Sequence, residues 1–255
     1  MAVVGSPGLL LAAPEPGDNE LLPSHDLGWT QGSIGSNEAL LTQAFHPATS
    51  LGPFAKTCQA VHMLGKVLRH YNIRNTTTET KELVEEALAL HRALLALDSS
   101  ITPEAQVQNE DSGSSVNDAS HHALDPAIAI CSIARLILYN QYACNVPNQP
   151  AGSLRVAEEA EAQAVSLHGI QVLATERISA LARSIVTDFA MRGEDQVASH
   201  NPILGKCFYH AATECAWFVK EDENGEAMLA ALKSIIGALR VLETEWGVAG
   251  KSLSQ

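Results

Sequence analysis

The stretch DPAIAICSIARLILYNQYAC, from Asp125 to Cys144, constrains the fold more than any other part of the sequence. Wound as a helix, it has almost no polar side, because Ile128, Ile130, Ile133, Leu136, Ile137 and Tyr139 spread around it. A helix of that kind has to be surrounded by other elements, so it belongs in the middle of a bundle. It is too short to span a bilayer and it contains Arg135. Its start is marked by Asp125, whose side chain offers an oxygen to free N–H groups, and by Pro126, whose φ is already helical.

The neighbours that this helix requires are present as further helical patterns. Pro53 opens PFAKTCQAVHMLGKVLRHYN, where Phe54, Cys58, Val61, Leu64, Val67 or Leu68, and Tyr71 recur three or four apart and predict a buried stripe. Lys56, Gln59, Lys66, Arg69 and His70 fall on the opposite side. Thr76 with Glu79 has the spacing of a capping box for the next helix, whose stripe is Leu83, Ala87, Leu90, Leu94 and Leu97. A long pattern from Leu154 to about Met191 buries Leu167, Ile170, Ala174, Ile178, Leu181, Ile185 and Phe189. Asn201 with Pro202 starts another helix, with Leu204, Phe208, Ala211, Cys215 and Phe218 inward. The last buries Met228 or Leu229, Leu232, Ile235 or Ile236, Leu239, Leu242 and Trp246, with Gly247 as its stop.

No segment alternates with period two, so the fold class is all-α: an irregular helical bundle of about six helices. Residues 1–52 are rich in Gly, Pro, Ser and Asn and read as an irregular, flexible segment, with Trp29 and the stretch around Leu21 to Pro23 as its expected anchors. Residues 53–253 form the helical domain. Within it SSITPEAQVQNEDSGSSVND, from Ser99 to Asp118, is polar and aperiodic and predicts a mobile, disordered loop.

Charge and composition exclude several functions. With 29 acidic against 16 basic side chains the net charge is -13, which repels phosphate backbones and acidic membranes. Direct nucleic-acid binding and membrane association are therefore not expected. Cys58, Cys131, Cys144, Cys207 and Cys215 are scattered through apolar stretches, as reduced core thiols are. Cys58 and His62 share one helix face, but a structural zinc site needs four ligands and no second close pair occurs. His121 and His122, beside the predicted loop, read as a solvated pair. There is no Gly-x-Ser-x-Gly elbow, P-loop or Gly-x-Gly-x-x-Gly. No residue is assigned as catalytic, cofactor-binding or metal-ligating, and an enzyme is not expected. Lys56, Lys66, Arg69 and His70, with Arg74 beyond, form a basic face that reads either as a solvent face balanced by nearby glutamates or as one that meets an acidic partner.

The run SLGPFAKTCQAVHMLGKVLRHYN resembles the fungal binuclear zinc-cluster transcription factors, in the regulatory region after their middle homology region. LLPSHDLGW, EALALHRALLALDSSI, ICSIARLILYNQYAC, HNPILGKCFYHAATECAWF and ALRVLETEWGVAGKSL resemble further segments of that region, in the same order, over about residues 20 to 253. The family's six-cysteine cluster, which holds two zinc ions and reads DNA, has no counterpart among the cysteines here, so the resemblance implies no zinc in this chain. It implies nuclear localisation and control of transcription through contacts with other regulators or co-regulators, as a homo- or hetero-oligomer, or through an effector. The likeness begins where the first half of the family's helical domain would end. A half-bundle is expected to leave apolar surface uncovered and to associate with itself or a partner. The alternative from another class is a helical small-molecule-binding protein or enzyme, with His62, Tyr139, His168 and His210 facing one another between helices.

Overall fold

The computed structural model describes residues 16–17, 19–23, 31–32, 38–40, 51–76, 81–110, 122–143, 171–192, 201–220 and 225–246. Six α-helices lie among them: α1 Pro53–Thr76, α2 Lys81–Glu110, α3 Asp125–Ala143, α4 Gln171–Arg192, α5 Ile203–Lys220 and α6 Gly225–Trp246. They form an irregular all-α bundle, and the described residues contain no β-sheet. No described helix is long and apolar enough to cross a membrane.

The helix without a polar face sits where its sequence demands. α3 packs against α1, α2, α4 and α5, and Ala129, Ile130, Cys131, Ile133, Ala134, Leu136 and Leu138 are all buried along it. α6 closes the far side of the bundle against α4 and α5. One continuous apolar core results, running from Met63 and Val67 on α1 through Leu94 and Ile101 on α2 to Phe208, Ile235 and Leu239 on α5 and α6.

The start of α5 follows the expected chemistry. The Asn201 side-chain oxygen accepts the Ile203 N–H at 3.0 Å and caps α5. α6 is described to Trp246, and Gly247, its expected stop, lies outside the described residues. Leu22 is buried with Leu40 and Ala55 in a small second cluster, so the segment around Leu21 to Pro23 does anchor onto the bundle, while Trp29, the other expected anchor, lies outside the described residues. It is held by an antiparallel bridge between Leu21 and Ala39, with Leu22 N–H donating to the Glu38 carbonyl and Leu40 N–H to the Glu20 carbonyl, both at 2.7 Å.

One boundary differs from the sequence reading, and two expected helix starts fall on residues outside those described. α2 does not stop before Ser99 but runs on to Glu110, so at least the first part of the predicted loop is helix; residues 111–118 lie outside the described residues. Asp98, Ser100 and Ile101 are buried there, and their contacts tie the chain to α1, α3 and α4. Composition alone hides such contacts. Thr76 lies within α1 and α2 is described from Lys81, while Glu79, the other half of the expected capping box, lies outside the described residues. The pattern from Leu154 is helical as α4 from Gln171, and residues 154–170, with Leu167, His168 and Ile170, lie outside the described residues.

Candidate functional site

α1 faces the opposite way from its predicted stripe. Phe54 is 60% exposed and Val61 47%, with Tyr71 and Ile73 also open, while Lys56 is 2% and His70 1% exposed. The buried side is Ala55, Lys56, Gln59, Ala60, His62, Met63, Val67 and His70. Of the predicted stripe only Val67 is fully buried; Cys58, Leu64 and Leu68 are half-buried. The basic face Lys56, Lys66, Arg69 and His70 is accordingly divided: Lys56 and His70 point inward, Lys66 is half-buried and Arg69 is exposed.

The polar residues that turn inward have partners there. Lys56 Nζ donates to Ser100 Oγ at 3.1 Å, and Ser100 Oγ donates onward to the Leu97 carbonyl at 2.7 Å. His70 Nδ1 lies 2.8 Å from Glu86 Oε2. Gln59 Nε2 donates to the Leu40 carbonyl at 3.3 Å. A buried polar group is tolerated when it is hydrogen-bonded, and these bonds reach across to α2 and to the N-terminal segment. They fasten one face of α1; on the other Phe54, Val61 and Gly65 are exposed, while Leu64 and Leu68 pack against the main core and Cys58 against the small cluster. On that outer face Phe54, Val61 and Gly65 lie along one line, flanked by Cys58, Leu68 and Arg69, as the 3.6-residue repeat dictates. Gly65 is exposed, and a Cβ placed on it would meet nothing within 4 Å.

A second constellation is buried where α2, α3 and α4 meet. Asp98 Oδ2 accepts from Arg135 at 3.1 Å, and Asp98 Oδ1 lies 3.0 Å from Arg177 Nε in an ionic approach that is not an in-line hydrogen bond. Two guanidinium groups thus share one carboxylate. Cys131 Sγ, one turn from Arg135, contacts the Leu94 carbonyl at 3.5 Å, and burial pushes its thiol up to about 12. The His91 ring meets Tyr139 edge-on with centroids 5.4 Å apart. Burial, aided by Arg135 and Arg92, lowers the His91 pKa. Arg135 Nε, Thr175 Oγ1 and His91 Nδ1 are buried without a hydrogen-bond partner.

The third joins α3 to α4. His122 Nδ1 is 2.8 Å from Asp125 Oδ2 and its Nε2 is 3.3 Å from Asp188 Oδ2. His122 is therefore a largely buried bridge between two carboxylates and not a solvated residue, while His121 lies outside the described residues. Asp125 opens α3 by receiving this imidazole, while the first helical bond runs from Ile128 N–H to the Leu124 carbonyl at 3.1 Å. Burial raises the Asp125 pKa, Asp188 adds to that, and His122 opposes it.

Among the described residues no group of three or more His, Cys, Asp or Glu side chains is arranged to hold a metal ion. Cys58 is half-buried beside Leu22 and Leu40, and His62, one turn on, is buried. Cys207 and Cys215 are free, buried thiols, each pushed up to about 12 by burial. On α5 burial also raises Glu214 to about 7. Of the four residues suggested as a convergent set, Tyr139 meets His91, His62 is buried on α1, His210 is half-buried on α5, and His168 lies outside the described residues.

The sequence pattern gave no sign of the Asp98 constellation, because its members are spread over 80 positions and only Arg135, a charge inside an apolar helix, was conspicuous. A search of family models, of curated proteins and of solved structures finds no match to this chain.

Proposed function

We propose that this chain is the regulatory helical part of a zinc-cluster-type fungal transcription regulator, working in the nucleus by contacts with other regulators and without DNA contact of its own. The reading draws its identity from the ordered resemblance over residues 20 to 253 and its mechanism from one observation: α1 buries Lys56, Gln59 and His70 and turns Phe54 and Val61 to water. Keeping apolar side chains outside and polar ones inside is costly for a free-standing helix, and it makes sense for a surface that another protein covers. The chain then acts as a contact module whose α1 is fixed from behind by hydrogen bonds and open in front.

The test is a reporter assay in fungal cells with the chain fused to an unrelated DNA-binding domain. Output should change relative to the DNA-binding domain alone, and Val61→Asp should return it to baseline with expression unchanged. A fusion that leaves output unaltered overturns the reading.

A second reading, a protein that holds a small ligand between helices, is favoured by the buried Arg135, Asp98 and Arg177 with Arg135 Nε, Thr175 Oγ1 and His91 Nδ1 unpaired. Two guanidiniums against one carboxylate suit an anionic ligand. Thermal-shift screening with small carboxylates and phosphates tests it, and a flat response across the panel removes it.

A further inference from the structure

His122 is held from two sides at once, and the chemistry of its ring makes that arrangement depend on a proton. We propose that His122, Asp125 and Asp188 form a pH-operated latch, closed by the imidazolium and opened on its α4 side when the ring loses a proton. The inference stands apart from the contact-module reading, since it uses no residue of α1.

Geometry sets the proton count. Asp125 Oδ2 lies 2.8 Å from Nδ1 and Asp188 Oδ2 lies 3.3 Å from Nε2. A carboxylate oxygen only accepts, and a neutral imidazole has a single N–H, so both contacts are hydrogen bonds only when both ring nitrogens carry hydrogen. The side chains of His122, Asp125 and Asp188 are 12%, 10% and 18% exposed, so water screens their charges little. α3 is packed against α1, α2, α4 and α5. Beyond the rise that burial causes in the Asp125 pKa, the charges acting on it among the described residues are His122, which lowers it, and Asp188, which raises it. Arg183, five positions before Asp188 on α4, donates instead to Ser179 Oγ at 2.8 Å. The two carboxylates are therefore reconciled by the cation between them.

Which side gives way follows from the distances. A neutral ring keeps its one hydrogen on Nδ1, where the contact to Asp125 is shorter, and leaves the Nε2 lone pair against Asp188 Oδ2. That pairing repels. Asp188 has somewhere to turn, because Ser184 Oγ, exposed on the same helix, already lies 3.4 Å from that oxygen. α4 stays packed on α6, where Val186 reaches to 3.4 Å from the place of a side chain on Gly237, so the opening is local to the joint with α3. Because folding favours the imidazolium, the latch contributes in full below about 6.5, the ordinary imidazole value, and is lost as pH rises through the higher value of the folded chain.

The test is an NMR titration of the full chain with isotope-labelled histidine, the His122 signals being assigned by their loss in His122→Gln. The ring should keep both hydrogens to at least about one pH unit above the ordinary value of about 6.5. Hydrogen exchange, corrected for its intrinsic pH dependence, should show Thr187 to Phe189 losing protection through that same transition, by about tenfold for a shift of one unit. Glu214 titrates at about 7 on α5, so a loss confined to α5 and α6 is its mark and not that of the latch. Asp188→Asn supplies an amide that accepts from an N–H or, rotated, donates to a bare nitrogen. It should move the His122 titration down and remove the step at Thr187 to Phe189.

A His122 ring that loses a hydrogen at or below about 6.5 overturns the latch. So does a higher transition at His122 that leaves Thr187 to Phe189 unmoved, or a step there that Asp188→Asn retains. The first two readings use the native chain alone, so they decide the matter even where Asp188→Asn fails to fold.

Discussion

Asp98 shows how much one side chain can hold. Its carboxylate is the shared counter-charge of Arg135 and Arg177, inside the junction of three helices. Removing one member of a buried ionic group leaves the others uncompensated, at a cost of ~3–5 kcal/mol. Asp98→Asn should lower the unfolding free energy by about that much in urea titration. Replacing Asp98, Arg135 and Arg177 together by apolar residues of similar volume should cost far less, since no charge is then stranded. Glu214 works through pH instead. Burial raises its carboxyl from 4.5 to about 7, so the folded chain resists ionisation that the unfolded chain accepts. Below pH 4.5 both forms are protonated and nothing is lost; between pH 4.5 and about 7 stability declines; above that the loss is constant. The midpoint advantage of Glu214→Gln over the native chain should therefore grow across that window and then level off, as thermal melts at a series of pH values would show.

Among the elements, α3 was fully legible and α1 was legible only as a helix. Ile130, Ile133, Leu136 and Ile137 surround α3, and any placement but the centre would have left them in water. α1 has enough apolar residues on both sides for two orientations, with Met63 and Val67 on one and Phe54 and Val61 on the other. What chose between them lies far along the chain, at Ser100, Glu86 and Leu40, and a local pattern contains none of it. The same holds for residues 99–110, whose polar composition suggested a loop while Asp98, Ser100 and Ile101 were being fastened by other helices. His122 acts on two elements at once, pinning the start of α3 to the last turns of α4. His122→Ala should cost ~1–3 kcal/mol. Its signature in hydrogen exchange should be faster amides at Ile128 to Ile130 and at Thr187 to Phe189, with α5 and α6 unaffected.

For the whole molecule the balance is between a continuous core and an uncovered rim. Apolar side chains exposed singly, such as Leu173, Met191 and Leu229, are ordinary on any protein surface. Phe54 and Val61 differ because they share one line with the exposed Gly65, between the half-buried Cys58 and Leu68. An apolar fluorescent dye should therefore bind the native chain, and Phe54→Ser with Val61→Ser should remove much of the signal while circular dichroism stays the same. Persistence of the full signal would place the dye site elsewhere. Mutual repulsion at a net charge of -13 keeps copies apart in low salt, so the stripe can stay uncovered without immediate aggregation.

The thiols divide along the same line as the surfaces. Cys131, Cys207 and Cys215 are shut in the core and held at about 12, where almost no thiolate forms near neutrality. Cys58 is half-buried, one turn from both Phe54 and Val61, and its pKa is raised by burial alone. Mildly alkaline labelling should reach Cys58 before those three. A fluorophore attached there would sit on the rim of the stripe, and its colour and mobility would report when something settles on α1.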